Sequence, residues 1–236
     1  MRSLVLILIS FISVTAAFAA DGPTRPPPQM QLNDLHPGQP RIGVIQAFLK
    51  SRRLMALSKH RLHRYLINHP IRVALGPGGK VYIVDHHHLA YALYLMKIKK
   101  VYFEVIADWR AHSKSEFENL MEENHYVLLE DIDGGSIEFK DLPKRVPHMG
   151  DDPYRSLAGL SRRSGAFAKN FDPLVEFIWA KFFRQNLKIK NINKNFERAL
   201  LQANELAQSE LAKDLPGFTG PVRDSFSCSD VFAPEF

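Results

Sequence analysis

The residues best suited to chemistry crowd into one stretch of this chain, GPGGKVYIVDHHHLAYALYL over residues 76–95. A glycine- and proline-rich turn leads into the apolar run Val81, Tyr82, Ile83 and Val84. Asp85 and three consecutive histidines, His86, His87 and His88, then precede an apolar helical pattern. The pattern predicts a strand ending at Asp85 and a helix starting at the histidines. A helix start carries unpaired backbone N–H groups and the positive end of the macrodipole, so it favours a phosphate or a carboxylate. Imidazoles placed there add hydrogen-bond donors, acceptors and proton carriers.

Asp85 has two expected uses: an N-cap accepting from an N–H two or three residues on, or a group that orients a histidine or holds a metal. Consecutive helical residues point about 100° apart, so the three rings cannot share one task. A histidine at a helix start is driven toward its neutral form, able to take a proton or bind a metal. His87, His88 and Asp85 are therefore the catalytic candidates, with Lys80 and His86 as phosphate contacts. Asp85, His86 and His88 are the candidate ligands of a divalent metal ion, and Asp108, His112, His125 or His148 could complete a zinc site, although no HExxH spacing is present. A second polar cluster runs from Asp151 to Arg155. Asp152 and Pro153 suit a helix start, which leaves Asp151, Tyr154 and Arg155 as further phosphate contacts, Arg155 in the bidentate manner a lysine lacks. Trp109, Trp179, Phe182 and Phe183 sit at helical spacing among aliphatics and read as core. Neither a G-x-x-x-x-G-K-[ST] loop nor a G-x-S-x-G elbow occurs.

These residues need a scaffold. Residues 30–35 suit a first strand, closed by H-P-G-Q-P. Val44, Ala47 and Phe48 suggest a short helix, and Leu54, Leu57, Leu62, Tyr65 and Leu66 a second. Residues 72–75 and 80–84 suit a hairpin around GPGG, and residues 101–107 another strand. Ser113 with Glu116 is a capping box opening a helix to about residue 123, and residues 126–129 suit one more strand before a polar connection over 131–147. Asp152-Pro153 and Asp172-Pro173 are paired helix-start signals, and a third late helix runs from Asn193 or Asn195 to residue 213. The expected architecture is mixed α/β, with an α/β unit over residues 30–150, a helical region over 151–213 packed on it and an irregular tail over 214–236.

Residues 1–20 have Arg2 as their only charge, an apolar stretch, and small residues at Ala16, Ala17, Ala19 and Ala20. This is the pattern of a cleaved secretory signal and predicts a secreted or periplasmic protein without a membrane span, joined through a proline-rich tether over 21–29. Cys228 is the only cysteine, which removes intramolecular disulfides and thiolate metal clusters. Charge is uneven: residues 21–85 hold 10 Lys/Arg against 3 Asp/Glu, whereas residues 86–150 hold 8 against 11. The basic half leads into the histidine run and would concentrate phosphate-rich partners.

The succession H-P-G-Q-P, G-P-G-G-K-V-Y-I-V-D-H-H-H-L-A-Y-A-L, V-Y-F-E-V-I-A-D-W, D-D-P-Y-R-S-L-A and W-A-K-F-F-R resembles the putative ParB-like nuclease family over about residues 35–184. That family is similar in fold to the ParB/sulfiredoxin group. The resemblance implies a compact domain with a small mixed sheet, in which residues 85–89 sit where the wider group binds nucleotide phosphates. Sulfiredoxins carry a cysteine in this turn, ParB proteins carry arginines, and the free serine kinases of the group place a glutamate ahead of it. This chain has only histidines in the turn, no arginine between Asp85 and Tyr94, and no glutamate before Glu104. The implied function is an exported protein binding a phosphate-containing ligand, a nuclease or phosphodiesterase, with nucleic acid or nucleotide phosphate as partner. The alternatives are a nucleotide-binding, kinase-like enzyme of the same group and a non-enzymatic envelope module for anionic partners.

Overall fold

The computed structural model describes residues 26–168 and 174–221. Its strands in chain order are β1 (Gln29–Gln31), β2 (Leu35–Pro37), β3 (Arg41–Ile42), β4 (Ile71–Leu75), β5 (Val81–Asp85), β6 (Lys100–Asp108) and β7 (Gly150–Asp151). Five of them form a mixed sheet in the order β1-β6-β4-β5-β2, in which β1/β6 and β4/β5 are antiparallel and β6/β4 and β5/β2 parallel. The β4–β5 hairpin turns through GPGG because Gly78 and Gly79 adopt φ of 69° and 73°, where a Cβ is disfavoured. The Gly76 N–H then closes the turn on the Lys80 carbonyl at 2.8 Å.

The helices are α1 (Val44–Met55), α2 (Lys59–Asn68), α3 (His87–Leu95), α4 (Lys114–Glu123), α5 (Pro153–Arg163), α6 (Val175–Asn186) and α7 (Phe196–Ala207). One sheet face, with Leu35, Ile71, Val73 and Ile83, is covered by α1 and α3 through Ala47, Leu54, Leu89 and Leu93. The other face, with Ala74 and Tyr82, is covered by Phe117 and Met121 of α4. A separate core gathers α5, α6 and α7 around Trp179, whose ring stacks on Phe167 at 4.1 Å and whose Nε1–H donates to the Pro216 carbonyl. The mixed α/β class is therefore as expected.

The short β3–β7 pair ties residues 41–42 to residues 150–151, and this joins the two halves. Asp151 at the end of β7 accepts from the Val44 N–H, the first turn of α1 (3.1 Å). Asp152 caps α5, accepting from the Tyr154 and Arg155 N–H groups, and pairs with Arg184 of α6 at 2.6 Å. The start of α1 meets α5 so closely that a Cβ on Gly43 would stand 2.6 Å from the Ser156 backbone nitrogen. A Gly43→Ala variant should lose about 1–3 kcal/mol of stability through overpacking against backbone that cannot swing aside. Urea denaturation measures it.

Several local expectations shift. The first strand divides into β1 and β2 around a 3₁₀ turn at Leu32–Asp34, because Leu32 and Leu35 are both buried and strict alternation cannot put both on one face. Leu54 belongs to α1, with α2 opened by Ser58, which accepts from the Arg61 N–H. Residues 126–129 form no strand. The Leu128 N–H bonds the Gly38 carbonyl and the Leu129 carbonyl accepts from Ile137, so the segment is a tied loop. The last expected helix is shorter, ending at Ala207 before a 3₁₀ turn. The Asp172-Pro173 start, the export signal, the first part of the tether and Cys228 lie outside the described residues. Among the described residues no helix is long and apolar enough to cross a membrane.

Candidate functional site

The strand-to-helix switch falls where the sequence put it, but its geometry differs. His86 takes φ 68°, a left-handed conformation, and α3 begins one residue later at His87. Asp85 is not the N-cap: it ends β5, and its carboxylate accepts from the adjacent His86 N–H at 2.6 Å because the left-handed turn swings that N–H back. The His86 ring faces the Pro70 carbonyl at 2.7 Å, so its Nδ1 must carry the proton, since a carbonyl can only accept. His87 is buried, and its Nε2 accepts the Gly38 N–H at 3.1 Å. That bond fixes the neutral form with the proton on Nδ1. Burial pushes the imidazole down to about 4 against the upward pull of Asp85.

His88 points elsewhere. Its residue keeps some surface, but the ring is turned inward: Nε2 has neither solvent nor a hydrogen-bond partner among the described residues. Burial, followed by the Arg155 guanidinium, pushes it down to about 3. The three rings therefore diverge, and Asp85, His86 and His88 do not converge as metal ligands would. Among the described residues no three His, Cys, Asp or Glu side chains gather into such a group. Asp108 is engaged by Arg110 at 2.6 and 2.8 Å. Lys80 stands at the far end of β5, and a five-residue strand spans roughly 16 Å, so it belongs not with the histidine run but with His36, whose imidazole burial, and after it Lys80, pushes below its ordinary value.

The second cluster is a clamp. Arg155 is buried, lies 3.9 Å over the Phe177 ring and pairs with Glu176 at 3.1 Å. Glu176 also takes Arg162 through Nε at 2.9 Å and Nη2 at 2.8 Å. Burial works against the charge on Glu176, yet Arg155, with His88 and Arg162 adding to it, holds the carboxyl down at about 2. Tyr154 lies under the Arg184 guanidinium, 4.9 Å from it, and Asp151 accepts from Asn193 as well as from Val44. Asp151, Tyr154 and Arg155 thus hold the two halves together through groups already engaged.

A hollow does open nearby, one helix away from the place the sequence suggested. Between α1 and α5 lies a cleft of about 370 Å³, lined by Gln46, Lys50, Arg53, Arg162 and Arg163 with Gly159 and Leu160 at its back. None of the three histidines lines it, but Lys50 and Arg155 both act on the His88 ring. Burial lowers the Lys50 ammonium below its ordinary value, while Glu176 and Asp85 pull it back up. The Gln46 amide lies directly against Gly159, in the space a Cβ there would take. Buried polar atoms without partners among the described residues occur on the two helices that border the cleft, Gln46 Oε1 on α1 and Arg155 Nε on α5. Such atoms call for a water or a ligand.

The residues that sequence reasoning passed over are the ones lining this cleft. Gln46, Lys50 and Arg53 are spaced i, i+4, i+7, one face of a helix, and they alternate with the apolar face bearing Ala47 and Leu54. That polar stripe was visible as periodicity. Its meeting with Arg162 and Arg163 across a glycine was not.

A family model described as a putative ParB-like nuclease matches residues 28–185, which includes every residue of the cleft and of the Glu176 clamp. The chain is also similar to protein Atu1540 from Agrobacterium tumefaciens, known from its crystal structure. The two share 31% identity at a TM-score of 0.74, over 83% of this chain and 98% of that one. No curated protein matches the chain. With two thirds of its length inside the family model and a solved relative aligned over almost its whole extent, the chain belongs to the putative ParB-like nuclease family.

Proposed function

We propose that this chain is an exported protein that holds a phosphate-bearing ligand in the cleft between α1 and α5. One observation carries the reading: Lys50, Arg53, Arg162 and Arg163 border a single hollow of about 370 Å³, a size within the range of small-molecule sites. Guanidinium and ammonium groups gathered around a concave, partly dehydrated space favour an anion, and Gln46 adds an amide that can both donate and accept. Glu176 offsets part of the charge of Arg162. The family's description as a nuclease makes a phosphodiester the bond to test. Toward its cleavage the cleft would supply cations that stabilise the charge building up on the phosphoryl oxygens. The secretory pattern of residues 1–20 supports an activity in the periplasm or outside the cell.

Lys50→Met keeps the aliphatic stem and removes the charge. Titration calorimetry with inorganic phosphate, pyrophosphate and a nucleoside monophosphate should show the variant binding about 10- to 100-fold more weakly than the parent, the loss of one charge-assisted hydrogen bond. An Arg53→Ala change should act in the same direction. Unchanged affinity in both variants, or no binding by the parent, would remove the cleft as the ligand site. Cleavage of a bis-ester chromogenic substrate, compared between parent and Lys50→Met, tests the hydrolytic part separately.

A further inference from the structure

Between Asp34 and Asp85 the chain carries nine Lys/Arg and no carboxylate. Only part of that charge is used by the cleft. Helix α2 presents Lys59, Arg61 and Arg64, together with His60 and His63, on its exposed side, while Leu62, Tyr65 and Leu66 pack against the sheet core. From these observations we infer that the outer face of α2 is a docking surface for the sugar–phosphate backbone of nucleic acid, independent of the α1/α5 cleft.

Cations at this place oppose the helix. Lys59 and Arg61 stand in the first turn of α2, which has no acidic residue, although the positive end of the macrodipole favours acids there. Arg61 and Arg64 are three residues apart and repel each other across one face. Two exposed lysines elsewhere are compensated within one helical turn, Lys114 by Glu118 and Lys213 by Glu210. On α2 none of Lys59, Arg61 and Arg64 enters an ion pair among the described residues, and the carboxylates on the neighbouring strands, Asp85 and Glu104, both face Arg72 at 3.9 and 3.5 Å. A face that only had to be soluble would do better with mixed charge. One that receives a row of phosphates needs this arrangement.

The occupant follows from what α2 does with its apolar side. A helix that lies on a lipid surface keeps that side free to enter the acyl boundary, whereas here it is spent on the protein core. The exposed side is purely cationic and imidazole-bearing, with the Tyr102 ring of β6 in edge contact with His63 (5.9 Å between centroids). Cations beside an accessible ring are what a nucleic-acid strand uses for backbone and base contacts.

The test compares two triple variants of the full chain that remove equal charge. One is Lys59→Ala/Arg61→Ala/Arg64→Ala. The other is Lys188→Ala/Lys190→Ala/Lys194→Ala, at exposed lysines of the C-terminal half. Alanine favours the helix, and thermal melting checks that α2 survives. Binding of a labelled duplex of about 20 base pairs is followed from about 50 to 200 mM salt. The α2 variant should lower affinity by about 10- to 100-fold and flatten the salt slope by about 2–3, near 0.9 for each lost contact, while the lysine control leaves the slope in place. Equal effects of the two variants, an unchanged slope for α2, or no duplex binding by the parent would overturn the inference. Loss of binding to phosphatidylserine vesicles with duplex binding intact would assign the face to lipid instead. Lys50→Met separates the two sites: it should weaken phosphate binding without altering the salt slope, so failure of one reading leaves the other standing.

Discussion

A Glu176→Gln variant should lose about 3–5 kcal/mol of stability, the usual cost of removing one partner from a buried ion pair. Glu176 is 16% exposed at its side chain and Arg155 only 6%. One carboxylate oxygen serves Arg155 and the other serves Arg162. A glutamine keeps one acceptor, but its NH₂ faces a guanidinium that can only donate. Arg155 is then left charged, dehydrated and stacked on Phe177, with Arg162 unneutralised beside it. The midpoint of urea denaturation should fall at constant m-value. Adding Arg155→Met should recover much of the loss, because an apolar replacement of a buried pair is close to neutral where a half-pair is not. A midpoint unmoved by Glu176→Gln would mean that the clamp does not carry the junction between the α/β half and the late helices. The depressed carboxyl also fixes a pH window. Its contribution is complete above about pH 4.5 and disappears as the pH falls toward 2.

Acid should begin to destabilise this protein before that window is reached. His87 and His88 are held near 4 and 3 in the folded chain, against about 6.5 when unfolded. Between those values the unfolded chain binds more protons than the folded one, so stability is full above about pH 6.5 and declines as the pH drops. Each histidine contributes a slope of about 1.4 kcal/mol per pH unit. From pH 6.5 to 4.5 the two together should remove on the order of 4 kcal/mol. Denaturation midpoints measured at stepped pH give the curve directly, and His88→Gln should remove about half of its slope. A midpoint that stays flat from pH 7 to pH 5 would show that these rings take up protons without leaving their places. Functional variants of this run need the same caution, because His87→Ala removes a buried ring that accepts the Gly38 N–H, and lost activity would have to be separated from lost fold.

What the sequence determined by itself was local. Ser113 and Glu116 form the reciprocal capping box at the start of α4, GPGG makes the hairpin turn, and Asp152 with Pro153 opens α5. In each case the stabilising contacts lie within a few residues, so residue types at fixed spacing specify them. The strand-to-helix switch at Asp85 was legible for the same reason, down to one residue. The directions of its side chains were not. They depend on the left-handed turn at His86, held by the Pro70 carbonyl 16 residues away, and on Gly38, 49 residues from His87. The D-D-P-Y-R cluster stood out in the sequence, but it serves as a junction because α6 supplies Glu176 and Arg184 from 21 and 32 residues further on. Only the tertiary structure could place Lys50 and Arg53 opposite Arg162 and Arg163. No periodicity records which faces of two helices meet, and α1 and α5 come this close at Gly43, where a Cβ would stand 2.6 Å from the Ser156 backbone nitrogen.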